Sequence, residues 1–297
     1  MAIFHLHISI ISRKTGRSSV GAAAYRSGQK LVDEKTGEVH DYTRKRGIYS
    51  SEILAPDYAP EWVYDREKLW NTVEAVEKRH DAQLARDLDL ALPTELSHFQ
   101  KRSLVHEFFW RECVDRGMVA DINLHDFNTK NPHAHVMLSM RHLTEAGFGN
   151  KNREWNDREF LQDLRASWSD AVNLALARAG HQERIDHRSL EAQGIERIPQ
   201  IHLGPNVCEM EKKGIQTERG DRAREIDEAN RQIRDLEIQL KATQILIHTE
   251  QALEDREREK QAEAKRQTEE AQRQARIEHL NFLINRVVND LRQQNDK

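Results

Sequence analysis

Apolar and polar residues alternate with a period of two in four separate stretches of this chain. In the opening stretch, Phe4, Leu6, Ile8 and Ile10 alternate with His5, His7 and Ser9. Between 84 and 91, Leu84, Leu88 and Leu90 lie opposite Asp87 and Asp89. Between 118 and 125, Met118, Ala120, Ile122 and Leu124 share one face, and Val119, Asp121, Asn123 and His125 the other. Between 133 and 140, His133 and His135 face away from Ala134, Val136, Leu138 and Met140. Successive side chains of a strand point to opposite faces, so each stretch is predicted to be a strand with one apolar side. The turn-rich residues 126–132 would join the last two strands into a hairpin.

Helical spacing follows a different rhythm. It is met by Leu69, Val73 and Val76 in 66–81, and by Leu104, Phe108 and Val114 in 96–116. Phe160, Leu164, Trp168, Val172 and Leu176 repeat it in 154–179. Ser18 or Ser19 can cap a further helix, whose small residues at 21–24 allow close packing on a sheet. These elements predict an α+β fold, an antiparallel sheet flanked by helices. Residues 147–152 read as a loop. They lack the Gly-x-x-x-x-Gly-Lys-Ser/Thr pattern of a phosphate cradle, which argues against a nucleotide hydrolase.

The pattern changes after Pro205. The tail holds no Trp, Tyr or Pro, and glycine only at 214 and 220. Ile226, Ala229, Ile233, Leu236 and Leu240 follow a heptad, as do Ile277, Leu280, Ile284, Val287 and Leu291. Residues 254–276 between them are nearly all charged or polar. The division expected is a domain at 1–206 and a charged helical, partly coiled-coil tail at 207–297. The tail could be one long single helix, or could associate with itself or another protein.

Charge and composition sharpen the picture. Net charge is −4, which does not advertise a nucleic-acid binder. The first fifty residues, however, carry nine Lys or Arg against four Asp or Glu. Arg13, Lys14, Arg17, Arg26 and Lys30 surround Tyr25, and Arg44, Lys45 and Arg46 follow. Phosphate contacts need such local patches rather than a basic average. Tyr42 and Tyr49 interleave with them and could stack on bases. No apolar run approaches the twenty residues of a membrane span, and the start lacks a secretory pattern. Cys113 and Cys208 form neither a disulfide framework nor a metal motif. Cytoplasmic residence without membrane insertion is expected.

Three histidines are the candidate chemistry. On a hairpin, His125, His133 and His135 would share the polar face, a plausible site for a divalent cation with open positions. A His-x-His pair on a strand is often only a polar face, and His5 and His7 form another. Three imidazoles suit Mn²⁺, Co²⁺, Ni²⁺ or Zn²⁺ better than Mg²⁺ on ligand preference, while supply in the cell favours Mn²⁺ or Mg²⁺. Tyr25 is a packing residue or a nucleophile. A phenol is a poor nucleophile at neutral pH unless cations or a bound metal activate it.

In combination the chain resembles the MobA/MobL family of plasmid relaxases, among the His-hydrophobic-His endonucleases. The matching residues run in order over 1 to about 206. They include Gly16-Arg17-Ser18, Ala22-Ala23-Ala24-Tyr25-Arg26, Asp41-Tyr42-Thr43-Arg44-Lys45, Leu69-Trp70 and Ala85-Arg86. Further on come Leu92-Pro93-Thr94-Glu95-Leu96, Asn131-Pro132-His133-Ala134-His135, Ile185-Asp186-His187-Arg188-Ser189 and Pro199-Gln200-Ile201-His202-Leu203-Gly204. The resemblance implies that Tyr25 is the nucleophile and that His125, His133 and His135 hold one divalent metal. It implies that an acidic residue before the Leu-Pro motif assists the tyrosine or orients a ligand. Asp87 and Asp89 both qualify, although relatives often carry glutamate there. His5 and His7 would stand behind the site or face DNA.

The implied reaction nicks one strand at a plasmid transfer origin, leaving a 5′-phosphotyrosyl linkage. The implied partners are single-stranded or hairpin DNA at that origin, accessory relaxosome proteins and a type IV secretion coupling protein, in a bacterial cytoplasm. A rolling-circle replication initiator or a single-tyrosine transposase shares this chemistry, but usually places its tyrosine after the histidines. A non-catalytic DNA-binding coiled-coil scaffold is the alternative of another class.

Overall fold

The computed structural model describes residues 3–295. The chain divides into two compact units, Met1–Arg188 and Ser189–Lys297.

The first unit is built on a five-stranded antiparallel sheet of order β1-β5-β7-β6-β4. Its strands are β1 (Leu6–Ser12), β4 (Ile48–Leu54), β5 (Gln83–Ala91), β6 (Ala120–His125) and β7 (His133–Ser139). All four strands predicted from alternation are present. The fifth, β4, was not expected. Its Ile48-Tyr49-Ser50-Ser51-Glu52 has no clean alternation, because it lies at the sheet edge and is half-exposed along most of its length.

Alternation decides what each sheet face meets. Leu88, Leu90, Ala120, Ile122, Leu124, Ala134, Val136 and Leu138 form a core with Phe108, Trp168 and Val172. Those aromatic and aliphatic residues come from α3 (His98–Glu112) and α4 (Arg158–Arg178). Across the sheet, Ile11, Ala85, Val119 and Met137 pack with Val20, Ala23, Ala24, Leu69 and Trp70. These belong to α1 (Ser19–Ser27) and α2 (Arg66–Val76). Alternation therefore places helices on both faces, and the histidine face is only partly covered.

The small residues of α1 let it sit directly on the sheet. Ser18 accepts from Gly21 N at its start, and Gly28 ends it with φ +65°. Helix α2 stops five residues short of the expected 81. The carbonyls of Glu74, Glu77 and Arg79 bind the Arg13 guanidinium at 3.2, 2.6 and 2.6 Å instead of continuing the helix. Two small hairpins complete the unit: β2 (Lys30–Asp33) with β3 (Glu38–Asp41), and β8 (Arg141–Thr144) with β9 (Gly147–Lys151). The second corrects the reading of 147–152 as a loop. Its glycines and Asn150 hide a strand that Leu143, paired with Phe148, holds in register.

A buried polar network fastens α2 beneath the sheet. Asp121 is fully buried, and its carboxylate accepts from Arg66 Nε at 2.9 Å and Trp70 Nε1 at 2.8 Å. Asn123 Nδ2 donates to the same carboxylate at 3.1 Å. Arg66 Nη1 also reaches Gln29 Oε1, just past α1. Removing one partner of such a pair strands a buried charge at a cost of about 3–5 kcal/mol.

In the second unit, α5 (Pro205–Lys212) precedes α6 (Glu218–Asn295), a single helix of 78 residues. The break between units falls ahead of the expected 206/207 boundary. Residues before α5 turn onto the long helix instead: Ile198 exchanges backbone bonds with the Asn230 side chain, and Gln200 donates to Asp227. Ile226, at the head of the first heptad, is accordingly buried, whereas Leu236 and Leu240 are exposed. In the second heptad Ile277 and Leu280 are exposed, while the side chains of Ile284, Val287 and Leu291 lie outside the described residues. No described helix is long and apolar enough to cross a membrane.

Candidate metal centre and tyrosine site

The histidine cluster is a consequence of sheet register. In the β6–β7 pairing His125 lies opposite His133, and Asn123 opposite His135. All three rings therefore emerge on one face at the hairpin end. Their centroids are 4.9–5.3 Å apart, and one nitrogen of each lies within 4.8 Å of the others. The turn between the strands is held from outside. Asp126, at φ 55°, donates its backbone N–H to Gly47 O at 2.7 Å. Gly47 has φ +89°, and a Cβ there would stand 2.5 Å from the Asp126 carboxylate. Glycine is what that contact and that backbone require.

Backbone carbonyls select the tautomers. A carbonyl only accepts, so the ring nitrogen facing it carries the proton. His125 Nε2 donates to Arg26 O at 2.7 Å, leaving its Nδ1 lone pair free. His133 Nδ1 donates to Asn131 O at 2.8 Å, leaving Nε2 free. His135 Nδ1 faces the Asp89 carboxylate at 3.7 Å. Ligating histidines characteristically hold their second nitrogen in this way.

Burial and neighbouring cationic groups penalise protonation. Burial is the main cause that pushes His125 down to about 4, against the bond to Arg26 O, and His135 to about 3. Both are neutral near pH 7, as metal ligands must be. Their folded values lie below the unfolded 6.5, so the unfolded chain takes up protons first. The metal-free protein should lose stability as pH falls below about 6.5, and continue to lose it until about 3. Thermal melting across that range checks the sign. The three-imidazole donor set, with the carbonyl bonds that orient His125 and His133, fits one divalent cation.

The tyrosine helix abuts this centre. His125 binds the carbonyl of Arg26, the residue after Tyr25. Tyr25 is 48% exposed, so its phenol is open to a large substrate. Its ring packs edge-on against Tyr42 at 5.2 Å, and Lys45 Nζ stands 3.7 Å from its centroid.

The two aspartates separate. Asp87 is committed to cations: Arg26 binds it through Nε at 2.9 Å and through Nη2, with Arg17 at 3.6 Å. It pins α1 to the sheet. Asp89 pairs in register with both His135 and His7, and its partly exposed carboxylate is the one beside a histidine. His7 is exposed on β1 in that row.

The expected DNA contacts also divide. Lys14, Arg17, Lys30, Arg44 and Arg46 are exposed. Arg13 is not available, since its guanidinium is spent on Glu74 and three carbonyls. Arg26 is buried on Asp87. Lys45 lies half-buried on Tyr25, and Tyr42 packs under the same ring rather than standing free. Tyr49 is 46% exposed and stacks on Phe127 at 4.4 Å. Sequence reasoning missed the Lys45–Tyr25 contact and the Asp121–Arg66–Trp70 network. The period-two placement of Asp121 on the His125 face was the available signal for the network.

The chain is similar to known proteins over this region. It is 40% identical to "Mobilization protein MobL" of Acidithiobacillus ferridurans, over 72% of this chain and 65% of that one. It is 41% identical to "Conjugal transfer protein TraA" of Rhizobium radiobacter, over 73% of this chain and 22% of that one. It thus spans about a fifth to two thirds of these relatives' lengths. A solved structure described as the molecular basis of vancomycin resistance transfer in Staphylococcus aureus superposes with TM-score 0.59 at 32% identity. That likeness covers 63% of this chain and all of the other. The MobA/MobL family model matches residues 17–213. Because that match runs from the loop before the tyrosine helix through all three histidines and past the end of the sheet unit, this chain belongs to the MobA/MobL family.

Proposed function

We propose that this protein is a DNA relaxase of plasmid mobilisation, which cuts one strand at a transfer origin by transesterification. One observation carries the reading: three imidazoles converge on one face, and one of them is bonded to the carbonyl of the residue after an exposed tyrosine. That the relatives are named for mobilisation and conjugal transfer supports it.

Tyr25 supplies the nucleophile. Its hydroxyl oxygen forms a bond to the scissile phosphorus, and the bond from phosphorus to the 3′ oxygen breaks. The 3′ oxygen leaves with the electron pair and takes up a proton, while the phenol's proton passes to water. The product is a 5′-phosphotyrosyl linkage and a free 3′-hydroxyl. A phosphodiester-type bond is conserved, so rejoining needs no ATP. His125, His133 and His135 would hold one divalent cation, which when bound offsets charge on the non-bridging phosphate oxygens. Asp89 keeps the His135 ring oriented, and Asp87 keeps α1 seated. The exposed Lys14, Arg17, Lys30, Arg44 and Arg46 offer phosphate contacts.

The test uses single-stranded oligonucleotides tiling the transfer region of the source plasmid, with and without Mn²⁺. A covalent protein–DNA adduct on a denaturing gel, present only with metal, is expected. A non-catalytic scaffold would bind DNA and give none. A fragment ending near Pro205 should form the adduct about as well as the full chain, since Tyr25, the histidines and the sheet all precede it. It should lose mobilisation in cells more than nicking in vitro, because the exposed apolar residues of α6 are absent. A folded fragment that cannot nick would place the tail inside the catalytic unit.

A further inference from the structure

Lys45 stands out among the cations near Tyr25 because it alone is neither fully exposed nor paired with an acid. Arg13 is paired with Glu74, and Arg17 and Arg26 with Asp87. Lys14, Lys30, Arg44 and Arg46 are exposed. Lys45 is half-buried, and among the described residues no carboxylate lies in ion-pair contact with its ammonium. Its nitrogen donates to Tyr25 O at 2.8 Å and sits 3.7 Å from the centroid of the Tyr25 ring. Both direct partners of the charge therefore belong to one residue.

The surrounding loop is built to present that charge. Asp41 folds back on Thr43, accepting from its N at 3.1 Å and its Oγ1 at 2.7 Å. Tyr42 N donates to Gln29 O, which ties the loop to the end of α1. Lys45 N then donates to Tyr42 O at 2.9 Å, closing a turn. This turn delivers the Tyr42 ring against Tyr25 with an interplanar angle of 88°, and the Lys45 ammonium over the Tyr25 ring. Tyr25 is clasped by an aromatic ring and a cation while its own side chain remains half-exposed.

We propose that Lys45 is a positioning residue for the nucleophile: it fixes the Tyr25 ring and places a positive charge against it. The inference rests on the relaxase reading above. A cation over an aromatic face is attracted to the ring. The attraction grows as the phenol gives up its proton and its oxygen gains negative charge on the way to attacking phosphorus. In the rejoining step the phenol oxygen departs from phosphorus with the electron pair, and the same charge favours its departure. Lys45 neither gives nor takes a proton in this scheme. An ordinary phosphate contact would instead act on DNA affinity.

The experiment compares the full native chain with Lys45→Met, Lys45→Arg and Tyr25→Phe. The probe is the single-stranded transfer-origin oligonucleotide with Mn²⁺. Adduct formation is followed in single turnover at saturating DNA, and DNA affinity is measured separately by anisotropy without metal. Lys45→Met should slow adduct formation at saturation by at least about tenfold, as expected for losing a preorganised charge. Its DNA affinity should stay within about threefold of native, since at most one cation is lost. Lys45→Arg keeps the charge and should recover most of the rate. The proposal is overturned if Lys45→Met reacts at the native rate once saturated, since Lys45 then only binds DNA. It is also overturned if Lys45→Arg is as slow as Lys45→Met while melting like the native chain. A native chain that forms no adduct sinks the relaxase reading itself. A native chain that forms the adduct, a Tyr25→Phe chain that does not and a fast Lys45→Met chain together sink only the role of Lys45.

Discussion

Tyr25→Phe will bind single-stranded origin DNA as the native chain does and form no covalent adduct. The substitution removes one oxygen from a half-exposed ring. The contacts that place the ring, the Tyr42 edge and the Lys45 cation, do not involve that oxygen. Binding and folding should therefore be preserved, with affinity unchanged by anisotropy and melting within a degree or two of native. Adduct formation should fall by at least about a thousandfold, the scale on which enzymes lose rate when their nucleophile is removed. Persistence of the adduct in this variant would transfer the role to another residue. Tyr42 is the nearest tyrosine ring, so Tyr42→Phe is the paired control.

The double substitution His133→Ala, His135→Ala will remove stoichiometric Mn²⁺ binding and metal-dependent cutting together. Only His125 would remain, and a single imidazole does not retain a divalent ion at micromolar concentration. Loss of even a residue supporting a ligand costs about 10–100-fold in affinity, so loss of two ligands should exceed that range. The fold should survive, because both side chains sit on the open part of the sheet face and neither belongs to the two apolar cores. Asp89→Asn should weaken metal binding less, since it touches His135 only at 3.7 Å. His7→Ala should leave binding unchanged. Unaltered metal stoichiometry in the double variant, by calorimetry or elemental analysis, would eliminate the histidine centre.

Much of this site was legible because strands impose a strict rule. Once 118–125 and 133–140 are strands joined by a turn, the shared face of the three histidines follows from alternation. The β6–β7 register then places His125 opposite His133. The helices were legible in their apolar stripes but not in their ends. Helix α2 stops at Val76, where a distant arginine, Arg13, binds the carbonyls of Glu74 and of the capping residue Glu77. The edge strand β4 was hidden because residues on both of its faces are half-buried or exposed, so neither face has to be apolar. The fates of Asp87 and Asp89 were undecidable for another reason. They lie two residues apart on the same face, and only tertiary placement of Arg26 assigns one to an ion pair and leaves the other beside His135. The same holds for the basic residues. Charge density marked a cationic neighbourhood around Tyr25, but Arg13, Arg26 and Lys45 face inward for reasons that local sequence does not encode.

The exposed apolar positions of α6 bear on partners. Leu236, Leu240, Ile245, Leu246, Ile247 and Leu253 stand open on one helix. Exposed apolar surface on this scale normally meets another protein. These positions are where the expected self-association, or contact with accessory transfer proteins, would form.

The most direct test of the account is the identity of the residue joined to DNA. The native chain is incubated with the origin oligonucleotide and Mn²⁺, the adduct is isolated under denaturing conditions, and it is digested with trypsin and nuclease. Cleavage after Arg17 and Arg26 releases residues 18–26, which contain one tyrosine. Mass spectrometry should find that peptide carrying a nucleotide through its 5′ phosphate on Tyr25, and only when metal was present. A nucleotide on any other residue, or cut DNA with no peptide attached, would contradict it.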